Sequence, residues 1–368
     1  MRLGQHRRFT KNHTIGLDLL GKRLFIKANP TRSDAVHEIS GYNSIRSYYR
    51  VPVRYQTRTI FNWTFFVYDR CAPGFADADL LCDWIADAHG SDHSAFETRF
   101  SRMLEQYADS ILGTAHHVSQ DDVNQKLYLA RLAPGGRIDQ YYGPRAIGRP
   151  AASRLESGTL VHINGSEQKW DPLGWAQWSR EAITSRSDVP AAVTQGDPTA
   201  FNIGWWSGEP VWFDYDCGGL NALPGEFACF IVDQLAFNGW LVSQYGRSAY
   251  AGHDKALLLA LASKPTIEMH AACGTFEVRV ASNLSPLVSR LLQDYIDRVV
   301  VPSAEQFGIK DIMDWIRPYI ITRLLGVFSV RLVEKGDALG ILALLYRALA
   351  VETIEDWVDD PFGERETL

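Results

Sequence analysis

Within one short stretch, Gln195 to Asp216, the sequence Q-G-D-P-T-A-F-N-I-G-W-W-S-G-E-P-V-W-F-D-Y-D brings together two acidic clusters and an amide. Gly196 opens a turn, and Pro198 keeps the loop from continuing as helix or strand. Ile203 to Trp206 and Pro210 to Phe213 are β-rich and are separated by Ser207-Gly208-Glu209, a hairpin-type connection. Such a hairpin folds Asp214 back beside Asn202. A carboxylate and a carboxamide held together supply hard oxygen ligands of the kind Mg²⁺ takes, with other positions left for water and phosphate. Asp197, earlier on the same loop, is then placed to face an incoming hydroxyl. Each half taken alone has a plainer reading. Gly-Asp-Pro is a common surface turn, and Asp-x-Asp is usually a solvated loop end or, less often, the metal motif of a sugar-nucleotide glycosyltransferase.

Taken together, Gly196-Asp197-x-x-x-x-Asn202 followed by Phe213-Asp214 resembles the kinase-like phosphotransferases of the aminoglycoside phosphotransferase and choline kinase type. Their motif is H-G-D-x-x-x-x-N, then a strand ending in I-D. The resemblance implies that Asp197 is the base that orients or deprotonates an acceptor hydroxyl, that Asn202 and Asp214 are metal ligands, and that Asp216 supports the metal. One departure is plain: the motif's histidine is Gln195 here, which removes an imidazole and keeps a hydrogen-bonding side chain.

The elements that would position these residues follow from patterning. The first segment alternates short β-compatible runs with polar breaks at Thr10-Lys11-Asn12 and Leu20-Gly21-Lys22, an antiparallel sheet. Lys27 closes the third run, F-I-K-A. After it, turn residues and a cap at Ser33 or Asp34 start a short helix that carries Glu38. In the resembling family this lysine binds the α- and β-phosphates and the helix glutamate holds it. Thr59 to Tyr68 is strongly aromatic and β-branched and is expected as one strand. The resemblance makes it the strand entering the hinge, where backbone at Val67 and Tyr68 reads the adenine edge. Lys27 and Glu38 also have a plainer reading, as a solvated strand end and a surface helix residue.

Helical stripes then take over: Leu80, Leu81, Trp84, Ile85 and Ala88, followed by Phe96, Phe100, Met103, Leu104, Tyr107 and Ile111. The region 114–162 is irregular and rich in turn signals. There Tyr141, Tyr142, Arg145 and Arg149 are candidates to face a substrate, with a purely structural loop as the alternative. Further helices are expected over Asp171 to Arg186, Glu226 to Val242, Lys255 to Ala262, Ser285 to Val299, Ser303 to Leu325 and Asp337 to Ala350. Pro265 to Ala281 is expected as an extended excursion among them. The fold class is α+β in two lobes, protein-kinase-like: residues 1–70 as a small, mainly antiparallel β N-lobe and 71–368 as a larger helical C-lobe.

Composition narrows the function classes. The 368 residues are long enough for two lobes, and the net charge of −6 argues against a general nucleic-acid binder. No apolar run is long enough to span a bilayer, and the basic N-terminus lacks the apolar region of a secretory signal, so a cytoplasmic enzyme is expected. The five cysteines form no C-x-x-C pair and are expected to be core thiols, with Cys217 near the site. The resemblance implies ATP or GTP as co-substrate, Mg²⁺, and a small-molecule hydroxyl acceptor such as an antibiotic or aminosugar. Alternatives are a catalytically weak kinase-fold nucleotide binder, and a glycosyltransferase using Asp214-Tyr215-Asp216.

Overall fold

The computed structural model describes all residues except 1, 10–11, 20, 73–77, 90–92, 147–157, 273–274 and 365–368. The side chains of 2–9, 12, 19, 145, 270–272 and 275–276 also lie outside the description. The turn at Thr10-Lys11, Arg149, Cys273 and the side chain of Arg145 therefore fall outside it. By contact the chain divides into two compact units, each assembled from separate segments. The first comprises Met1–His116, Ala191–Asn221 and Val242–Leu261; the second comprises His117–Pro190, Ala222–Leu241 and Ala262–Leu368.

The first unit opens on an antiparallel sheet of five strands, β1 (Arg2–Phe9), β2 (Asn12–Leu19), β3 (Lys22–Asn29), β4 (Arg54–Ile60) and β5 (Trp63–Asp69), in the order β1-β2-β3-β5-β4. Helix α1 (Arg32–Ile45) lies between β3 and β4 in sequence and starts at Thr31, whose side chain accepts from the Asp34 amide. The cap is thus two residues ahead of Ser33. The single strand expected over Thr59 to Tyr68 is two strands joined at Phe61-Asn62, with Ile60 paired to Trp63. Phe61 takes a positive φ of 54° and is 95% exposed at the tip. Unbroken β-type residues on both sides conceal this turn in the sequence.

After β6 (Asp79–Leu80) come α2 (Leu81–His89) and α3 (Ser94–Thr114). The expected stripe of α3, Phe96, Phe100, Met103, Leu104, Tyr107 and Ile111, is buried throughout, as an i, i+3/i+4 pattern requires. Strands Ile203–Trp206 and Glu209–Trp212 form the expected hairpin around Ser207-Gly208, and β6 adds to its edge. Trp212 anchors this hairpin to the core: it is fully buried, its ring lies against Tyr49 and Tyr107, and its indole N–H donates to Gln106 at 3.3 Å.

The second unit is mainly helical, with Pro172–Thr184, Leu223–Val232, Pro286–Tyr295, Ile312–Gly326 and Lys335–Ala350 as its larger α-helices. The expected helix over Glu226 to Val242 changes from α to π geometry at Asp233–Leu241. The extended excursion is the antiparallel hairpin Thr266–Ala272 with Thr275–Ala281, and its second strand pairs in parallel with Leu160–Ile163. Tyr141 and Tyr142 belong to this unit and donate to the carbonyls of Val327 and Leu325. Antiparallel sheet first and helices after is the α+β organisation expected from the sequence. No helix among the described residues is long and apolar enough to cross a membrane.

Candidate active site

Lys27, Glu38, Val67, Tyr68, Asp197, Asn202, Asp214 and Asp216 all lie in the first unit, whereas the substrate-facing candidates Tyr141 and Tyr142 lie in the second. β3 carries Lys27 inward, and α1 presents Glu38 from its buried face. The Lys27 ammonium donates to Glu38 Oε2 at 2.7 Å and to Asp214 Oδ1 at 2.6 Å. The second Glu38 oxygen accepts from the Tyr68 hydroxyl at 2.9 Å. Glu38 and Lys27 are buried, whereas the Asp214 side chain is 40% exposed.

These contacts set the protonation states. Burial acts to lower the Lys27 pKa, but the charges of Asp214, Glu38 and Asp216 outweigh it and raise the pKa well above 10.5. Lys27 is therefore a fixed cation. Burial raises the Glu38 pKa above 4.5, opposed by the Lys27 charge against it. Burial, followed by the neighbouring Glu38 charge, raises the Tyr68 pKa, so its hydroxyl remains a donor.

Val67 and Tyr68, expected at the hinge, lie in the sheet. Both sit in β5 with β3 on one side and β4 on the other, Val67 opposite Ile26 and Gln56 and Tyr68 opposite Phe25 and Arg54. The β4 register shifts between Arg54 and Gln56, opposite these two residues. Tyr68 also reaches the site through its phenol, which donates to Glu38. The chain leaves the sheet only after Asp69.

The loop carrying Asp197 is tied to the segment carrying Asp214 by Gln195. Its Nε2 donates to the carbonyls of Phe213 at 2.9 Å and Asp214 at 2.6 Å, while its Oε1 accepts from the Asp197 amide at 2.8 Å. Gln195 is fully buried. Asn202 Nδ2 donates to the Asp197 carbonyl at 2.8 Å, and the Phe213 amide donates to the Asn202 carbonyl at 2.9 Å. The hairpin register, Ile203 opposite Trp212, thereby sets Asn202 across from Phe213, one residue before Asp214. Asp214 adopts a left-handed φ of 55°, a conformation that aspartate tolerates better than most residues.

Two glycines permit this assembly. Gly196 has φ +84°, and a Cβ there would collide with the Cys217 carbonyl. Gly41 lies mid-helix in α1, where a Cβ would collide with the Tyr215 carbonyl. The helix bearing Glu38 thus packs directly on backbone just beyond Asp214. Tyr215 is buried there, its ring against Tyr42 at 5.1 Å and Tyr68 at 5.7 Å and its hydroxyl donating to the Trp212 carbonyl. Cys217 is buried beside it and is in no disulfide, as is also true of Cys71, Cys82 and Cys229.

Gln195, Tyr68 as a side chain and Gly41 extend the set expected from the motif. Gln195 had a sequence signal, its place in the motif; Tyr68 and Gly41 had none, because their partners lie 30 or more residues away. Asp216 is half-buried, and its charge adds to the field that keeps Lys27 protonated.

No protein-family model matches the chain, and no curated protein matches it. Solved structures do. An amicoumacin kinase, hAmiN, in complex with AMP-PNP, Ca²⁺ and Ami aligns with a TM-score of 0.41 and 12% identity over 99% of this chain and 91% of that one. A thermostable mutant of the aminoglycoside phosphotransferase APH(4)-Ia aligns with a TM-score of 0.41 and 10% identity over 89% and 96%. The Plasmodium vivax ethanolamine kinase Pv091845 gives a TM-score of 0.42 and 10% identity over 99% and 81%. By their descriptions, these three structures to which the chain is similar are all small-molecule phosphotransferases.

Proposed function

We propose that this protein is a small-molecule kinase that transfers the γ-phosphate of ATP or GTP to a hydroxyl of an antibiotic, an aminosugar or a related metabolite. The observation that carries the reading is the bridging of Lys27 between Glu38 and Asp214, in a unit where Gln195 ties Asp214 to the loop of Asp197. A buried lysine that is kept charged is suited to hold phosphate oxygens, and the exposed side of Asp214 opens the same place to a ligand.

The donor set fits a hard divalent cation such as Mg²⁺. Asp214 engages Lys27 through one oxygen and has a second, and Asn202 spends its amide nitrogen on the Asp197 carbonyl, so its carbonyl oxygen can serve as a ligand. Bound there, the cation would neutralise charge on the phosphates and bridge them to the protein. Asp216 supports this site through its charge. Asp197 holds the acceptor hydroxyl in line with the γ-phosphorus and accepts its proton as the new P–O bond forms, while the bond from the γ-phosphorus to the β,γ-bridging oxygen breaks and ADP or GDP leaves. The transition state is loose, so positioning and neutralisation matter more than base strength. Residues 1–70 then act as the nucleotide-binding lobe and the chain beyond as the acceptor-binding one. The adenine edge is met by backbone in the hinge, Val67 to Cys71, where the chain leaves β5 after Asp69.

The test is phosphate transfer followed by mass, with ATP or GTP and Mg²⁺ against aminoglycosides, nucleoside antibiotics, macrolides, amino alcohols and sugars, and with Asp197→Ala in parallel. A product heavier by one phosphoryl group, reduced about 10²–10⁴-fold by the substitution, supports the proposal. Absence of any Mg²⁺-dependent nucleotide binding overturns it.

A further inference from the structure

Away from the proposed nucleotide site, the first unit holds a second constellation of ligand-bearing side chains. Cys82 and Asp83 begin α2, and His253 precedes the helix Asp254–Ala262. One ligand atom from each of the three lies within 4.8 Å of the others. Among the described residues this is the one group of three or more His, Cys, Asp or Glu side chains gathered so closely. Cys82 and His253 are 2% and 3% exposed, while the Asp83 side chain is 20% exposed. His253 Nδ1 lies 2.7 Å from Asp83 Oδ2, which also accepts from the Leu80 amide at 3.0 Å.

We propose that Cys82, Asp83 and His253 form a binding site for a zinc-class divalent cation, separate from the magnesium-type oxygen site at Asn202 and Asp214. Three arguments support this. The ligand types are one thiolate, one imidazole and one carboxylate, a set that suits a borderline-soft ion far better than Mg²⁺. The charges close as well: a thiolate and a carboxylate cancel a divalent ion, so the loaded centre is neutral, as a nearly buried position demands. Finally, the spacing needs only small adjustment. Ligand atoms in a tetrahedral zinc site stand about 3.3–3.8 Å apart, so the widest pair closes by about 1 Å and the Asp83–His253 hydrogen bond opens by less.

On loading, the Cys82 thiol releases its proton to solvent, His253 binds as neutral imidazole through one ring nitrogen, and Asp83 binds as carboxylate. The partly open side at Asp83 leaves the fourth position to water. The ion would join the start of α2 to the segment before Asp254. That junction abuts the loop of the proposed catalytic residues: the Cys82 amide donates to the Ala200 carbonyl at 3.4 Å, and Phe201 packs edge-on against Tyr250 at 4.9 Å. The metal therefore braces the loop between Asp197 and Asn202 from behind. This inference does not depend on the phosphotransfer reading.

The experiment is a Co²⁺ titration of the full-length, chelator-stripped protein, read by the near-ultraviolet thiolate-to-cobalt charge-transfer band and competed with Zn²⁺. The expected result is one thiolate-bound Co²⁺ per chain, displaced by Zn²⁺. The band should vanish in Cys82→Ser, need more than about 100-fold higher Co²⁺ in His253→Gln, since losing a ligand costs more than losing a supporting contact, and persist in Asp214→Asn. A wild-type protein without the band overturns the proposal whatever the variants do, and so does a band that survives Cys82→Ser or disappears in Asp214→Asn.

Discussion

Replacing Gln195 with alanine offers the sharpest test of how the site is held together. The side chain is fully buried and makes three hydrogen bonds, to the Phe213 and Asp214 carbonyls and from the Asp197 amide, at 2.9, 2.6 and 2.8 Å. At about 1 kcal/mol net for each bond, their loss costs about 3 kcal/mol, and the small cavity left by the truncated side chain adds about 1 kcal/mol. Against a typical stability of about 5–15 kcal/mol, this is a severe lesion. The same geometry ranks three substitutions. Histidine keeps one donor and one acceptor, and is expected to cost about 1 kcal/mol. Alanine keeps neither. Glutamate replaces the donor with an oxygen facing two carbonyls and should be the worst. Urea unfolding, read as a shift in midpoint at constant slope, gives the stabilities. Calorimetric titration with Mg²⁺ and nucleotide asks whether Asp197 and Asp214 still act as one unit. The reasoning fails if Gln195→Ala is within about 0.5 kcal/mol of wild type, or if Gln195→Glu is no worse than alanine.

Other outcomes follow from neighbouring contacts. Because Lys27 has a pKa raised above 10.5, the native chain keeps a proton there that the unfolded chain releases as pH rises past that value. Its contribution is thus complete below pH 10.5 and is lost at higher pH, with a slope of up to about 1.4 kcal/mol per pH unit; alkaline melts of Lys27→Gln should lack that increment. Tyr68→Phe removes a hydrogen bond to the buried Glu38 carboxyl and should lower stability by about 1.5–3 kcal/mol in denaturant titrations, with weaker nucleotide binding. Gly41→Ala forces α1 away from the Tyr215 carbonyl and should cost about 1–3 kcal/mol, although alanine is the better helix former; a stabilised variant would contradict the packing described.

How far the sequence reveals this arrangement depends on the range over which each signal acts. The hairpin around Ser207-Gly208 and the α3 stripe are local patterns, and both are present within a residue or so of expectation. Lys27 and Glu38, expected to meet, are joined because β3 and α1 are consecutive and separated by a short turn. The turn at Phe61-Asn62 escaped because an exposed aromatic occupies a position that polar residues usually mark. The α1 cap falls on Thr31 because its side chain reaches the Asp34 amide, which leaves Ser33 and Asp34 inside the first turn. That β5, which holds Val67 and Tyr68, has a neighbour on each edge is a matter of strand order, which local patterning does not encode. Long-range partners are legible only where the motif marks them, as at Lys27 and Asp214; their individual contacts are not. Nothing in the composition announces that Gln195 will bridge two carbonyls 18 and 19 residues later, or that His253 will lie against Asp83 from 170 residues away.

The unit that holds the site is stitched from three segments of chain, Met1–His116, Ala191–Asn221 and Val242–Leu261, and this has a consequence for biosynthesis. Lys27 and Asp214 are 187 residues apart in sequence. At the ordinary pace of translation, Asp214 leaves the ribosome about 10–40 s after Lys27. Adjacent strands such as β1 with β2 and β2 with β3 can pair long before then, since their contacts are local. Until the later segments arrive, the cation that will be buried has only its helix partner. The docking of Ala191–Asn221 is therefore the step that brings in the second carboxylate, and truncation before residue 214 should yield a sheet and helices that fold in part without it.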